Sequence, residues 1–202
     1  METDFIYERK KFPDGLKVEE ISGGEDREGK VWRALAMQIY CENGRDDYRD
    51  VGHFDSGAPF LFNSDERISI SHTDHLLVVA TIKASPDSNL SIFDPEAFIG
   101  IDTERADRAK VMGLRKRFLS DEELKLVPDD LESTVVAWTC KEAMLKASLT
   151  PGIDWHHDLV IRRLPREDAP GEGLMRLPSG DYPCGLLTYR SGEYVVTVCM
   201  KG

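Results

Sequence analysis

The stretch WTCKEAMLKAS, residues 138–148, constrains this chain more than any other. It reads as a helix that begins near residue 131 and is stopped by Pro151-Gly152. Side chains three and four apart share a helical face, so Trp138, Glu142, Leu145 and Leu149 form one stripe. The stripe is apolar except for Glu142, which predicts a carboxylate within a buried face. An unpaired buried carboxylate is costly, so the fold must bring it a cation.

Two candidates for that cation follow from the sequence. Glu142 and Lys146 have the favourable i, i+4 order of a salt bridge within the helix. The other candidate is a metal ion shared with further carboxylates. In GIDTER, Asp102 and Glu104 stand two apart at a strand end and share a face. Such a pair repels unless a cation intervenes or one acid stays protonated. Oxygen donors of this kind suit Mg²⁺ or Mn²⁺. The plainer reading is a solvated strand end with Glu104 paired to a nearby arginine.

A third stretch, SISHTDH, alternates Ser69 and Ser71 with Ile68 and Ile70, and then His72 and Thr73 open a turn. It reads either as a cluster of hydrogen-bond donors for an anion or as a polar β-turn. A zinc site from His72, His75, His156 and His157 has no ligand spacing behind it. A serine hydrolase finds no GxSxG elbow.

With 202 residues, the chain has room for one large domain or two of about 100 each. The net charge of −11 argues against a nucleic-acid binder without excluding a local basic site. Cys41, Cys140, Cys184 and Cys199 show no paired spacing, which predicts reduced thiols and a cytoplasmic protein. The start, METDFIYERKKF, lacks the apolar run of a signal peptide, and no run such as LLVVA is long enough to span a membrane.

Along the chain the pattern predicts a helix over 27–42 and a hairpin of 68–71 with 76–84. Residues 85–97, rich in turn formers, predict a joint. Then come a strand at FIGID, a helix in RADRAKVMGLRKRF that Gly113 interrupts, and a capping box of Ser120 with Glu123. Strands LVIRRL, GLLTYR and GEYVVTVCM close the chain. The expected fold is α+β, with two similar pseudo-symmetric lobes of residues 1–97 and 98–202, packed around a cleft.

Taken in order, Ser71-His72, then Gly100-Ile101-Asp102-Thr103-Glu104, then Trp138-Thr139-Cys140-Lys141-Glu142-Ala143-Met144-Leu145-Lys146 resemble the 4′-phosphopantetheinyl transferase superfamily in its two-lobed type. The match covers roughly residues 56–150, and RFLSDEEL resembles the family's connecting segment; the capping box accounts for Glu123 there. The resemblance implies transfer of 4′-phosphopantetheine from coenzyme A to a serine of an acidic apo acyl or peptidyl carrier protein, releasing 3′,5′-ADP. It implies Mg²⁺ on Asp102, Glu104 and Glu142, with Glu142 also a candidate base. It further implies phosphate contacts from His72 and Lys146, and from Ser71 and Lys141. A monomer is expected, because each lobe supplies half the cleft. A non-catalytic binding homologue and a metal-dependent phosphohydrolase are the alternatives.

The resemblance departs at Gly57-Ala58-Pro59, where the family carries a Gly-Lys-Pro lysine for the nucleotide 3′-phosphate. Arg27, Lys30 and Arg33 are the substitutes on offer. The basic run Arg105, Arg108, Lys110, Arg115, Lys116 and Arg117 reads either as a dock for the carrier or as a solvated helix.

Overall fold

The computed structural model describes residues 6–11, 16–22, 51–54, 57–61, 66–83, 98–166 and 168–201. The expected helix over 27–42, the joint at 85–97 and Cys41 lie outside them. The remainder is a mixed α and β fold built on two antiparallel sheets. In the first, β1 (Ile6–Lys11), β2 (Lys17–Ser22), β5 (Glu66–His72) and β6 (Leu76–Lys83) take the order β1-β2-β6-β5. A small separate hairpin pairs β3 (Val51–His53) with β4 (Pro59–Leu61).

The second sheet contains β7 (Ile99–Arg105), β8 (Leu159–Arg163), β9 (Gly171–Leu177), β10 (Gly180–Ser191) and β11 (Tyr194–Lys201), in the order β7-β11-β10-β9-β8. The expected hairpin is β5 with β6, in a register that sets Ile68 opposite Thr81 and turns through Thr73, Asp74 and His75. Strand β9 has no counterpart in the sequence reading, because GEGLMRL opens with two glycines that read as turn.

Between β7 and β8 lie a 3₁₀ turn at Ala109–Leu114 and three helices: α1 (Arg115–Phe118), α2 (Asp121–Leu126) and α3 (Leu131–Ser148). Gly113 falls where the expected single helix gives way to two short pieces. The capping box at α2 is present in both directions, Ser120 with Glu123. Asp130 caps α3 by accepting the Ser133 N–H, and Leu149 closes it in the left-handed region at φ 50°. Among the described residues no helix is long and apolar enough to cross a membrane.

Strands β7 and β11 are covered on both faces. On one face Ile99, Ile101, Val196 and Val198 pack with Leu16, Val18, Leu76, Val78 and Ala80 of the first sheet. On the other, α3 lies against Cys199, Leu186, Met175 and Leu159. The approach of α3 is set by Gly100, where a Cβ would fall 1.9 Å from the Ala143 carbonyl oxygen. Such proximity selects small side chains, and Ala137, Ala143 and Ala147 are all buried.

This geometry corrects the expected buried stripe. The deep face of α3 holds Ala137, Cys140, Lys141, Met144 and Ser148, whereas Trp138, Glu142 and Leu145 are half-buried and Leu149 is 43% exposed. At the close contact with Gly100 the helix presents Ala143 and Ala147, while the larger Lys141 and Met144 are buried elsewhere on the deep face and Trp138 and Leu145 lie on the flank.

Strands β5 and β7 are the facing edges of their sheets, and serine hydroxyls join them. Ser69 Oγ accepts the Ile101 N–H at 3.0 Å, and Ser71 Oγ accepts the Thr103 N–H at 3.3 Å. Both serines are buried. Ser69→Ala leaves the Ile101 N–H buried without its acceptor, so chemical unfolding should report a loss of about 1–3 kcal/mol. An unchanged midpoint would show that this bond contributes nothing to joining the sheets.

Candidate active site

Side chains alternate along a strand, so Gly100, Asp102 and Glu104 share the β7 face turned toward α3. Gly100 meets the helix backbone at Ala143 and Ala147, and Asp102 extends the same line to Lys146. Lys146 Nζ donates to Asp102 Oδ1 at 2.7 Å and to the Ile101 carbonyl at 3.0 Å. Ser71 Oγ donates to the same Asp102 oxygen at 2.9 Å. Asp102 is therefore gripped from two elements that flank β7.

Lys146 pairs with Asp102, not with Glu142, so the salt bridge considered within the helix is not the one that forms. Glu142 has no hydrogen bond or ion pair among the described residues. Burial raises its pKa most, the nearby Asp102 charge raises it further, and Lys146 and Arg108 pull it back. Glu104 forms an ion pair with Arg108 and accepts the Arg105 N–H at 3.0 Å. The arginine partner considered for Glu104 is thus present.

Two of these groups, Glu142 and Lys146, line a cleft of 470 Å³. Glu142, Leu145 and Lys146 line one side, and Ser69, Ile70 and the segment Gly57-Ala58-Pro59 line the other. His72 is exposed at the end of β5, on the strand face it shares with Ile70. Ala58 therefore borders the same cleft as Glu142 and Lys146, at the position where the resembled family carries lysine.

Two expected phosphate ligands are used elsewhere. Lys141 is fully buried, with its ammonium 2.6 Å from Glu123 and donating also to the Trp155 carbonyl at 2.8 Å and to the Leu159 carbonyl. Glu123 accepts the Ser120 and Ile161 N–H groups as well, so it caps α2 and anchors the core at once. Burial lowers the Lys141 pKa and Glu123 offsets that shift. Ser71 is buried with its one proton on Asp102, which leaves it no donor for an anion.

The basic run also divides. Arg115 is buried, donating to the Val127 and Pro128 carbonyls and to Thr134. Arg105 holds Asp107 through two bonds and Glu193 at 2.8 Å. Lys110, Lys116 and Arg117 are exposed. Arg115 therefore cannot belong to a docking face, because its guanidinium closes the turn between α2 and α3.

Sequence reading missed the individual role of Arg108. It pairs with Glu104 and lies over the Trp138 ring at 5.8 Å. The signal was its spacing of four from Glu104, hidden in a run of basic residues. The free thiols of Cys140, Cys184 and Cys199 are buried in the core, and burial pushes the Cys140 thiol far up. Among the described residues no three His, Cys, Asp or Glu side chains stand as a formed metal centre, and the histidines gather nowhere.

A family model for the 4′-phosphopantetheinyl transferase superfamily matches residues 98–199, and the chain belongs to that superfamily. No curated protein matches the chain. The matched region begins one residue before β7 and ends within β11, so it spans α3 and the second sheet. The family is one of transferases that use coenzyme A and carrier proteins.

Lys141→Met leaves the Glu123 carboxylate buried beside apolar atoms and is expected to cost about 3–5 kcal/mol of stability. Adding Glu123→Gln should recover part of that loss in urea unfolding; strictly additive losses would deny the pairing. Glu142 gives the opposite sign. Its raised folded-state pKa favours the protonated form, so the contribution to stability is full at low pH and falls as pH rises through the folded value. In metal-free buffer Glu142→Gln should melt above wild type near neutral pH, with the gap closing below about 4.3, the ordinary glutamate value. A wild type that melts higher near neutrality would mean that the site stabilises the charged form.

Proposed function

We propose that this protein transfers the 4′-phosphopantetheine group of coenzyme A to a serine of an acidic apo acyl or peptidyl carrier protein, releasing 3′,5′-ADP. The observation that carries the reading is the meeting of Asp102, Glu142 and Lys146, from a strand and a helix, beside one open cleft. The protein is of the two-lobed type, with lobes at 1–97 and 98–202, and acts as a cytoplasmic monomer.

The donor set suits a hard divalent ion. Asp102, Glu104 and Glu142 are oxygen donors on facing elements, and Glu142 is half-buried with no ion-pair partner among the described residues. These three would hold Mg²⁺, with Mn²⁺ as a substitute. Once bound, the ion supplies charge neutralisation for a diphosphate and for the leaving oxygen.

The chain's own residues do the remaining work. Lys146, with 30% of its side chain exposed, borders the cleft and is placed to donate to a phosphate oxygen. His72 serves the same purpose from the open end of β5. The carrier serine oxygen attacks the β-phosphorus of coenzyme A, a new P–O bond forms, and the phosphoanhydride bond breaks toward 3′,5′-ADP. Glu142, on the helix face that lines the cleft, takes the serine proton. Ser71 acts indirectly, by fixing Asp102. Lys110, Lys116 and Arg117 offer an exposed basic face to an acidic carrier.

The test is intact-mass spectrometry of an apo carrier protein incubated with this protein, coenzyme A and Mg²⁺. The expected result is a gain of one phosphopantetheine arm, lost with EDTA and in Glu142→Ala. Coenzyme A that binds without any gain on several carriers would favour a non-catalytic binding protein. Hydrolysis of the diphosphate without a carrier would favour a phosphohydrolase.

A further inference from the structure

Arg108 is placed unlike the rest of the basic run. Its guanidinium pairs with Glu104, whose side chain is 12% exposed, while Arg108 itself keeps 39% of its side chain open. The same guanidinium lies 5.8 Å from the centre of the Trp138 ring, within the range of a cation–π contact. Trp138 precedes Glu142 by one turn of α3, so this platform holds the guanidinium on the side of the helix that carries Glu142. The charge of Arg108 is felt there, since it opposes the upward shift of the Glu142 pKa.

The three carboxylates thus face two internal cations. Lys146 serves Asp102 and Arg108 serves Glu104. Lys146 also donates to the Ile101 carbonyl, a bond it makes without using the carboxylate. Arg108 likewise has a second contact, the Trp138 ring, and a side chain that is 39% exposed.

We infer that Arg108 is a resident cation for Glu104 that competes with the divalent ion, giving up the carboxylate when the site is loaded and remaining over Trp138. This rests on the reading of Glu104 as a metal ligand. Arg108 is a positioning residue: it touches Glu104, not the reacting atoms. Its presence keeps Glu104 compensated in the empty site, at the expense of metal affinity.

The experiment is isothermal titration of the intact protein with Mg²⁺ alone, without coenzyme A or carrier. Arg108→Gln should bind Mg²⁺ about 2- to 5-fold tighter, the factor that an ion pair of this exposure is worth. Arg108→Lys, which keeps the charge but not the planar fork, should move the same way by less and covers the case of a poorly folded first variant. Lys110→Gln, a loss of charge from the same segment, should leave Mg²⁺ binding unchanged. Unchanged or weaker binding in both Arg108 variants overturns the inference, as does equal tightening in Lys110→Gln. In a Glu104→Gln background the Arg108 substitution should have no effect; tightening there would mean that Arg108 acts through long-range charge. Glu104→Gln that binds Mg²⁺ like wild type would remove the underlying reading of Glu104 as a ligand, a failure visible before any Arg108 variant is compared.

Discussion

The two sheets are joined at their edges by the hydroxyls of Ser69 and Ser71. An edge strand presents unpaired N–H groups every second residue, and water or another strand would otherwise take them. Here two serines, two apart on β5, meet two amides, two apart on β7. The period of one strand therefore answers the period of the other, without a backbone ladder between them. Ser71 adds a second function, because its proton goes to Asp102. The contact that joins the sheets also fixes the carboxylate at the centre of the site. Position of the acid and integrity of the fold are thus coupled through one side chain.

The opposite wall depends on a single missing side chain. With no Cβ at Gly100, the backbone of α3 lies against β7 around Ala143 and Ala147. That distance determines whether Lys146 reaches Asp102, and whether Glu142 feels the Asp102 charge. A larger residue at position 100 would lift the helix away and open the site before altering any polar group. The glycine of GIDTE is therefore a spacing element for the carboxylates that follow it.

Much of this was legible in the chain, and the parts that were not have physical reasons. Alternation marked β5 and β6, a short apolar run marked β7, strand-forming segments marked β8, β10 and β11, and the capping box and Pro151-Gly152 delimited α2 and α3. The candidate acids were legible because carboxylates beside apolar residues are conspicuous. The depth of each face of α3 was not: a helical stripe reads as buried when it is apolar, yet Gly100 turned the alanine face inward instead. Lys141 was misread for a related reason. A lysine beside Glu142 in the resembled motif looks available, and only the arrival of Glu123 from α2 shows that its ammonium is enclosed. Strand β9 was hidden by its glycines. Those at 171 and 173 sit where a Cβ would strike the Arg163 carbonyl and the Cys184 sulfur, respectively, so they mark close packing and not a turn.

The buried charges of β7 and of the helices that follow it fall into two kinds, and the difference separates scaffold from site. Lys141 and Glu123 satisfy each other and are completed by backbone groups, with nothing left to bind a ligand. Arg115 is likewise enclosed by carbonyls. Around Asp102 the compensation is incomplete: three acids share two cations, each cation is partly exposed, and Glu142 has burial and a neighbouring negative charge raising its pKa. A fold selected for stability alone would complete such a cluster or replace it with apolar residues. A cluster left short of positive charge beside a cleft is instead suited to accept it from outside. That deficit, more than the identity of any one acid, distinguishes the chemistry of this region from the ion pairs that hold the molecule together.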